Sequence, residues 1–288
     1  MSEKVLLTAD SAADLMPSLE AAFGVKTIPL YINLNGESRK DMLEITPEDI
    51  FQTQKELGVF PKTSAIPVGE YLEVFQSLTE DGGTVVHIAL SSLYSSCYRN
   101  AMIAAEEFPG KVFIVDSRHI SAGIALLCRR AALLRDSCKP AQSIADTLEA
   151  YKYKIHFSAI VHTLDYLAAG GRFPAVVRLG ANALKIRPGV TSDPVAGVMQ
   201  QAKKYRGTVL NTQLAWIDDV VADCAPRMNN EFAMLVRTPD LPDEIFSALE
   251  NAVRDSLLDL QTLHAAPIGC MIAANCGPLC AGFAWEEE

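Results

Sequence analysis

The sequence lacks the short motifs by which many enzymes hold phosphate, a metal or a nucleophile. It contains no G-x-G-x-x-G, no G-x-x-x-x-G-K-[ST], no H-E-x-x-H and no G-x-S-x-G pattern. A dinucleotide-binding enzyme, a phosphate-loop NTPase, a zincin and an α/β-hydrolase are therefore each without their defining feature. The sequence also has no internal repeat and no low-complexity segment.

Positive charge is scarce. The 25 Lys and Arg residues are outnumbered by 35 Asp and Glu residues, so the formal net charge is -10 and the isoelectric point is about 5.0. Nucleic acids and anionic membrane surfaces attract basic proteins. We therefore expect no nucleic acid partner and no permanent attachment to a membrane.

A zinc-binding pattern is missing. Among the seven cysteines, Cys270, Cys276 and Cys280 lie close together, but no C-x-x-C pair accompanies them and Pro267 separates them from His264. Structural zinc sites use four such ligands at regular spacings. We expect free thiols, no metal site and no cofactor.

No apolar run is long and unbroken enough to suggest a membrane span. Residues 260–285 carry no charged side chain, but two prolines and three glycines interrupt them. Two buried strands joined by a turn are predicted there. The first ten residues, MSEKVLLTAD, contain no apolar signal-peptide core and no cleavage site. The protein is therefore expected in the cytoplasm.

The chain does have enough hydrophobic residues for two cores. It has 288 residues, 49% of them hydrophobic, which is long for a single core. Apolar runs at residues 5–8, 85–90 and 111–115 alternate with helical patterns. This alternation predicts a mostly parallel sheet with flanking helices, in an N-terminal domain over residues 1–153.

A second domain is predicted over residues 154–288. Short apolar runs at 186–191 and 198–202 predict antiparallel pairing, and a helix is predicted over 176–184. The second half is thus expected to be a mixed α/β sheet. The whole chain is predicted to have a two-domain α/β fold.

Four local predictions concern the first 41 residues. A strand is predicted over residues 25–34, followed by a hairpin turn at residues 35–36. Asp10 or Ser11 is predicted to cap the first helix. Asp41 is expected to be exposed.

A serine-rich turn follows the strand predicted at residues 85–90. Ser95 or Ser96 can cap the next helix, which would leave amide N–H groups and hydroxyls together at the end of the strand. Such a place suits an anion, although a serine-rich turn that only caps its helix is the alternative. The adjacent hydroxyls of Thr63 and Ser64 can meet this turn.

A tight turn is predicted where Gly170 and Gly171 end a short helix. Paired glycines permit a left-handed C-cap, which would present Arg172 from the turn. A plain C-cap followed by a solvated arginine is the alternative.

Six short motifs occur in order along the chain: residues 8–14 (TADSAAD), residues 63–67 (TSAIP), Asp116-Ser117 before a helix, residues 167–172 (LAAGGR), residues 204–207 (KYRG) and Gly277-Pro278. In this order they resemble the DegV family, the fatty-acid-binding subunits of bacterial fatty acid kinase. The resemblance covers essentially the whole chain. It implies two α/β domains, a buried acyl chain and a carboxylate held near the domain junction.

The resemblance also implies which residues contact the ligand. The carboxylate contacts of such proteins match Thr63 and Ser95, and we include the neighbouring Ser64 and Ser96 in the ligand-binding site. Asn275, which stands where the family commonly has histidine, is expected to join Thr63 and Ser95 at the carboxylate. An asparagine can donate a hydrogen bond but carries no charge.

The resemblance to the DegV family also extends to two arginines, and the chain departs from the family at one cysteine. Arg172 and Arg206 match family arginines, and for Arg206 the resemblance implies a role in handing the headgroup to the kinase. The family's usual Ser-Gly-Thr is here Ser95-Ser96-Cys97, so the threonine hydroxyl is lost at Cys97 and a serine replaces the flexible glycine.

The resemblance therefore implies a carrier rather than an enzyme. The protein would take a long-chain fatty acid from the membrane in a transient contact and bury its tail. It would then present the carboxylate to a separate ATP-dependent kinase that makes the acyl phosphate. The fatty acid is its ligand, and no cofactor is expected.

Two other classes of function remain open from sequence alone. A serine esterase or acyltransferase would use Ser95 as nucleophile, but it needs a base within hydrogen-bonding reach. The sequence cannot place His87, His119, His162 or His264 there. A purely structural or regulatory protein is the third possibility, and it would bind no small molecule.

Overall fold

The computed structural model of the chain describes residues 3–172, 186–193 and 195–288. The helix predicted over residues 176–184 lies outside the described residues. The strands of the described part are β1 (Val5–Asp10), β2 (Val25–Ile28), β3 (Tyr31–Leu34), β4 (Glu37–Lys40), β5 (Lys62–Ser64), β6 (Thr84–Ala89), β7 (Val112–Asp116), β8 (Ile155–Ile160), β9 (Ile186–Asp193), β10 (Val198–Arg206), β11 (Met228–Arg237), β12 (Leu263–Pro267) and β13 (Ala281–Glu287).

The α-helices of the described residues alternate with these strands. They are α1 (Pro17–Phe23), α2 (Pro47–Leu57), α3 (Val68–Thr79), α4 (Cys97–Ala105), α5 (Ala122–Asp136), α6 (Ala141–Tyr151), α7 (Asp165–Gly170), α8 (Val209–Cys224), α9 (Asp243–Ser256) and α10 (Cys270–Cys276). Two short 3-10 helices cover Ser11–Ala13 and Lys152–Lys154. Among the described residues, no helix combines the length and the hydropathy that crossing a membrane requires.

The first half of the chain forms the predicted parallel sheet. Its strand order is β2-β1-β6-β7, and every neighbouring pair is parallel. The carboxyl ends of β1 and β6 therefore lie side by side at one edge, which is where open α/β sheets bind their ligands. The serine-rich turn leaves the sheet at this edge, because it directly follows β6.

The second half forms the predicted mixed sheet. Its order is β10-β9-β8-β13-β11-β12, in which β11 and β12 are parallel and the other pairs are antiparallel. Its strands all begin after residue 153. The domain boundary at residue 153 stays a prediction, because helix α5 packs on both sheets.

Helix α5 lies between the two sheets. It contacts β1 and β6 of the parallel sheet and β8, β11 and β13 of the mixed sheet. Its residues 122–128 are all buried, so this stretch has no polar face. A helix that is apolar all round belongs between two layers. One large core accordingly contains side chains from both sheets, and a second core lies on the other face of the mixed sheet.

The strand predicted over residues 25–34 is two strands in two different sheets. β2 pairs with β1, whereas β3 pairs with β4 and β5 in a separate three-stranded antiparallel sheet. Pro29 separates them, because it has no N–H to continue a strand ladder. The hairpin turn predicted at residues 35–36 is confirmed, with φ values of 52° for Asn35 and 85° for Gly36.

The prediction of two strands in residues 260–285 is wrong in part. Strands β12 and β13 are present, but α10 lies between them. Residues 270–275 are all buried. Because the helix has no exposed side over this stretch, the sequence shows no alternation of polar and apolar residues that would reveal it.

The predicted roles of Asp10 and Asp41 are also wrong. Asp10 does not cap a helix, since its buried carboxylate accepts hydrogen bonds from the Tyr71 hydroxyl and the Leu90 N–H. Ser11 does not cap one either; its hydroxyl donates to Asp41 over 2.6 Å. Asp41 is 2% exposed instead of lying on the surface.

Candidate ligand-binding site

Five of the seven predicted site residues line one polar pocket at the carboxyl edge of the parallel sheet. The pocket encloses about 1070 Å³ of unoccupied space, part of it open to solvent. Its wall is formed by Leu30, Thr63, Ser64, Ala65, Ser92, Leu93, Tyr94, Ser95, Ser96, Arg99, Arg172 and Met271. The hydroxyls of β5 and those of the serine-rich turn thus meet as the sequence predicted.

Ser95 is bound to the start of α4. Its Oγ accepts the backbone N–H of Cys97 over 3.2 Å and donates to the Cys97 Sγ over 3.1 Å. Ser96 occupies the N-cap position, but its side chain makes no capping hydrogen bond. Of the two serines predicted to cap this helix, Ser95 supplies the contact.

A buried polar network lies behind Cys97, where β1, β6 and α3 meet. The Tyr71 hydroxyl donates to Asp10 over 2.5 Å, and Nε2 of His87 lies 3.3 Å from the same carboxylate oxygen. Nδ1 of His87 lies 3.0 Å from the Thr8 hydroxyl. These side chains are all fully buried. The network therefore fixes the strand ends beneath the pocket and is closed to ligand.

The geometry does not support Ser95 as a nucleophile. Its hydroxyl lies 3.1 Å from the Cys97 thiol, and burial raises the pKa of that thiol to about 12, so the thiol is protonated and cannot act as a base at neutral pH. Within the described ranges, no hydrogen bond joins Ser95 to a histidine. His119 is bound to the Lys152 carbonyl, and burial lowers the pKa of His119 to about 4.

An apolar cavity adjoins the polar pocket. It comprises about 780 Å³ of unoccupied space, part of it open to solvent, and its exposed wall is almost wholly apolar. The cavity lies between the mixed sheet on one side and α10, α7 and the residues before α5 on the other. It is lined by Tyr94, Ile120, Ser121, Phe157, Ala159, Val161, Leu167, Arg172, Val190, Met199, Val236, Arg237, Ile268, Met271, Ile272, Asn275, Cys276, Cys280, Ala281 and Gly282.

The two spaces share part of their walls. Tyr94, Arg172 and Met271 line both of them. Arg172 follows the predicted tight turn, in which Gly171 adopts a left-handed φ of 65°, and its Nη1 donates to the Gly170 carbonyl over 3.2 Å. The arginine is exposed, so its charge faces the opening rather than the protein interior.

The structure does not bring Asn275 into the polar pocket. Asn275 lies on α10 and lines the apolar cavity. Its Nδ2 donates to the Met271 carbonyl of the same helix over 2.8 Å. A Cβ atom on Gly170 would lie 2.8 Å from its Oδ1, so α7 and α10 approach closely here. Asn275 is therefore part of the cavity wall, with its donor already engaged.

Arg206 lies apart from both spaces. It ends β10, the edge strand of the mixed sheet, and its side chain is exposed. It lines neither the polar pocket nor the apolar cavity. Arg206 can therefore act only on a molecule that contacts the protein surface.

Two buried aspartates hold α10 in place, and sequence reasoning missed both. The N–H of Gly269 donates to Asp14 over 2.8 Å, and the N–H of Cys270 donates to Asp41 over 2.9 Å. Asp14 also accepts a hydrogen bond from Ser121. Burial raises the pKa of both carboxyl groups above the ordinary value. Both belong to the first half of the chain and anchor a cavity wall from the second half.

Residues 4–288 match the model of a family described as the uncharacterised DegV family. A DegV domain-containing protein of Caldanaerobacter subterraneus subsp. tengcongensis is 28% identical over 287 residues, which are 99% of this chain and 100% of the relative. A solved DegV family protein from Thermus thermophilus, described as fatty acid binding, has a TM-score of 0.89 at 28% identity. The similarity covers 99% of this chain and 100% of that one. A solved DegV lipid-binding protein from Thermotoga maritima has a TM-score of 0.83 at 26% identity, covering 99% and 98%.

Proposed function

The chain belongs to the DegV family, and we propose that it is a fatty-acid-binding protein that presents the carboxylate of its ligand to a separate ATP-dependent kinase. The observation that carries this proposal is the junction of the polar pocket with the apolar cavity through Tyr94, Arg172 and Met271. A long-chain fatty acid has a polar carboxylate that suits the polar pocket and an apolar tail that suits the apolar cavity. The Thermus and Thermotoga proteins are themselves described as binding fatty acid and lipid.

The tail supplies most of the affinity in this proposal. Burial of each CH₂ group contributes about 0.8 kcal/mol, whereas each neutral hydrogen bond contributes roughly 1 kcal/mol net. A long acyl chain in the apolar cavity therefore outweighs the hydroxyl contacts. The polar pocket orients the headgroup and selects an acid.

The headgroup lies in the polar pocket. Thr63 and Ser95 donate to the carboxylate, Ser64 and Ser96 add hydroxyls beside them, and Arg172 supplies positive charge at the opening. This pocket is open to solvent, so the carboxylate stays within reach of a second protein. Arg206, exposed at the end of the edge strand, hands the headgroup over to the kinase.

The kinase carries the nucleotide. The chain has no phosphate-loop motif, so ATP binds the partner and the acyl phosphate is made there. The protein works in the cytoplasm and collects its acid in a transient contact with the membrane. It binds no nucleic acid and needs no cofactor.

The first test is extraction of the protein purified from a bacterial host, followed by negative-ion mass spectrometry. A near-stoichiometric fatty acid supports the proposal and reveals the preferred chain. An empty extract, together with no thermal shift across a series of fatty acids, contradicts it. Acyl phosphate formation by the fatty acid kinase on the loaded protein then tests the presentation step, with free fatty acid as the control.

A further inference from the structure

The apolar cavity extends along one face of the mixed sheet, roughly at right angles to the strands. Val190, Ala159, Gly282 and Val236 all line it and are paired, one with the next, across β9, β8, β13 and β11. Met199 of the edge strand β10 also lines it. Neighbouring strands lie about 4.8 Å apart, so the four spacings from β10 to β11 give the cavity a length of about 19 Å.

The polar pocket meets this row at the β10 end. Tyr94, which lines both spaces, accepts a hydrogen bond from the backbone N–H of Met199. At the β11 end the cavity is bounded by Arg237 and Ile268, which are joined by a backbone hydrogen bond of 2.9 Å. An acyl chain with its carboxylate in the polar pocket therefore extends from β10 towards β11.

The ring of Phe157 rests on Gly282 in the far half of this path. A Cβ atom on Gly282 would lie 2.8 Å from Cζ and 2.9 Å from Cε2 of Phe157. It would also lie 3.1 Å from Cγ2 of Val236. The two distances to the ring are shorter than real Cβ atoms show, so the ring can lie this close to β13 only because residue 282 is glycine. The distance of the ring from β13 therefore determines how much space remains between the ring and α10.

We propose that Phe157, resting on Gly282, narrows the far half of the cavity and so determines how tightly the longest acyl chains bind. The proposal deepens the proposed function and rests on it. The tail passes Met199, Val190 and Ala159 before it reaches the ring, which is about three strand spacings, or about 14 Å, from β10. Short chains end before this point. Longer chains pass between the ring and α10, so their binding depends on where the ring lies.

The test is the chain-length profile of the Gly282→Ala variant. The added methyl group pushes the Phe157 ring away from β13 and into the cavity. Overpacking of this kind is expected to weaken binding of the longest saturated acids about ten-fold and that of the shortest less than about two-fold. Dissociation constants are measured on the delipidated protein with a series of saturated fatty acids.

Gly189→Ala is the matched control. A Cβ atom on Gly189 would lie 2.9 Å from Cε2 of Tyr205, so the crowding is similar. Gly189 precedes the cavity-lining Val190 in β9, and successive residues of a strand face opposite sides of the sheet. The control therefore disturbs the second core and leaves the cavity alone. Its chain-length profile should be that of the wild type.

Phe157→Leu tests the same proposal in the opposite direction. The smaller side chain should widen the path past residue 157 and strengthen the binding of the longest acids relative to that of the shortest. Combined with Gly282→Ala, it should restore the binding of long chains. A general loss of stability cannot produce this rescue, because Phe157→Leu alone also removes core packing.

The outcomes separate the two proposals. If the wild-type protein binds no acid of the series, the proposed function fails. If the wild type binds long acids and both Gly282→Ala and Phe157→Leu keep its chain-length profile, the role of Phe157 fails while the function stands. Thermal unfolding shows whether each variant folds. If Gly282→Ala does not fold, the chain-length profile of Phe157→Leu decides whether the proposal stands.

Discussion

The hydroxyl of Ser95 donates to the Sγ of Cys97 over 3.1 Å and accepts the N–H of the same residue over 3.2 Å. The backbone contact fixes the oxygen at the start of α4. The thiol is only a weak acceptor, so the hydroxyl proton can turn to a carboxylate at little cost. Ser95 is thereby held in position while its donor stays available.

Replacement of Ser95 by alanine should therefore act on the headgroup rather than the tail. A hydrogen bond to a charged group contributes about 1.5–3 kcal/mol, so we expect the affinity for a fatty acid to fall at least about ten-fold. The affinity for the alcohol of the same chain length should change less, because it has no carboxylate. Titration calorimetry with both ligands measures the difference. Ser137→Ala, at an exposed hydroxyl bound to the Leu133 carbonyl, is the control. An equal loss for acid and alcohol would contradict the assigned role.

The two predicted arginines should differ in what they affect. Arg172 lines both spaces, whereas Arg206 lines neither. We expect Arg172→Gln to weaken fatty acid binding several-fold, a modest effect because the guanidinium is exposed to solvent. Arg206→Gln should leave binding unchanged and slow acyl phosphate formation by the kinase. Binding titrations and kinase assays on the same two variants decide this. A loss of affinity in Arg206→Gln would show that the residue acts on the ligand instead.

Native-state alkylation should single out Cys138. It is the exposed cysteine among seven, five of the others are buried, and Cys276 is half-buried. Burial raises the pKa of Cys97 and of Cys224 to about 12, so few of these thiols are ionised at about pH 8. We expect iodoacetamide to add one carbamidomethyl group to the folded protein and seven after denaturation. Intact-mass spectrometry counts them, with Cys138→Ser as the control. Rapid labelling of Cys97 in the folded protein would mean that the thiol behind Ser95 is accessible and reactive.

Stability should fall as pH rises through the titration of Asp14. Burial raises the pKa of this carboxyl group, and the nearby charge of Asp41 adds to the effect. The folded protein then holds the proton more tightly than the unfolded chain does. The resulting contribution to stability is fully present below the unfolded pKa and is lost as pH rises through the folded pKa. Urea denaturation of the delipidated protein, at pH values from about 4 to about 8, measures the slope.

Asp14→Asn should remove the pH-dependent contribution of Asp14 to stability and keep the fold. The amide can accept from Gly269 and donate to Ser121, and asparagine tolerates the φ of 51° found at this position. The variant should be at least as stable as the wild type at neutral pH. Asp14→Ala instead leaves two buried partners unsatisfied and should cost about 1–3 kcal/mol for each. A stability difference between Asp14→Asn and the wild type that is the same at every pH would contradict the assignment.

The parallel sheet and the polar pocket could be predicted because their signals are local. Each strand and the helix after it lie within one short segment, and the hydroxyls of Thr63 and Ser95 stand in or next to recognisable turns. Parallel strands bring their carboxyl ends to one edge, so residues far apart in sequence could be expected to meet there.

Helix α10 and the burial of Asp41 could not be predicted, because both depend on distant partners. The carboxylates that bind the first N–H groups of α10 come from Asp14 and Asp41, which are 255 and 229 residues away from the residues that they bind. The contact of Phe157 with Gly282 likewise joins residues that are far apart in the sequence. Nothing near Gly282 in the sequence indicates that the ring of Phe157 needs its small size.

The contacts of Asp14 and Asp41 with α10 make the cavity a joint product of both halves of the chain. Ser121, bound to Asp14, and Met271, carried by α10, face the same space from opposite halves. A fragment that begins or ends at residue 153 would therefore contain only part of the cavity wall. Two such fragments brought together would bury this shared hydrophobic interior, and under the proposed function a fatty acid would stabilise their association. The large core, which contains side chains from both sheets, would be complete only after the two fragments had associated.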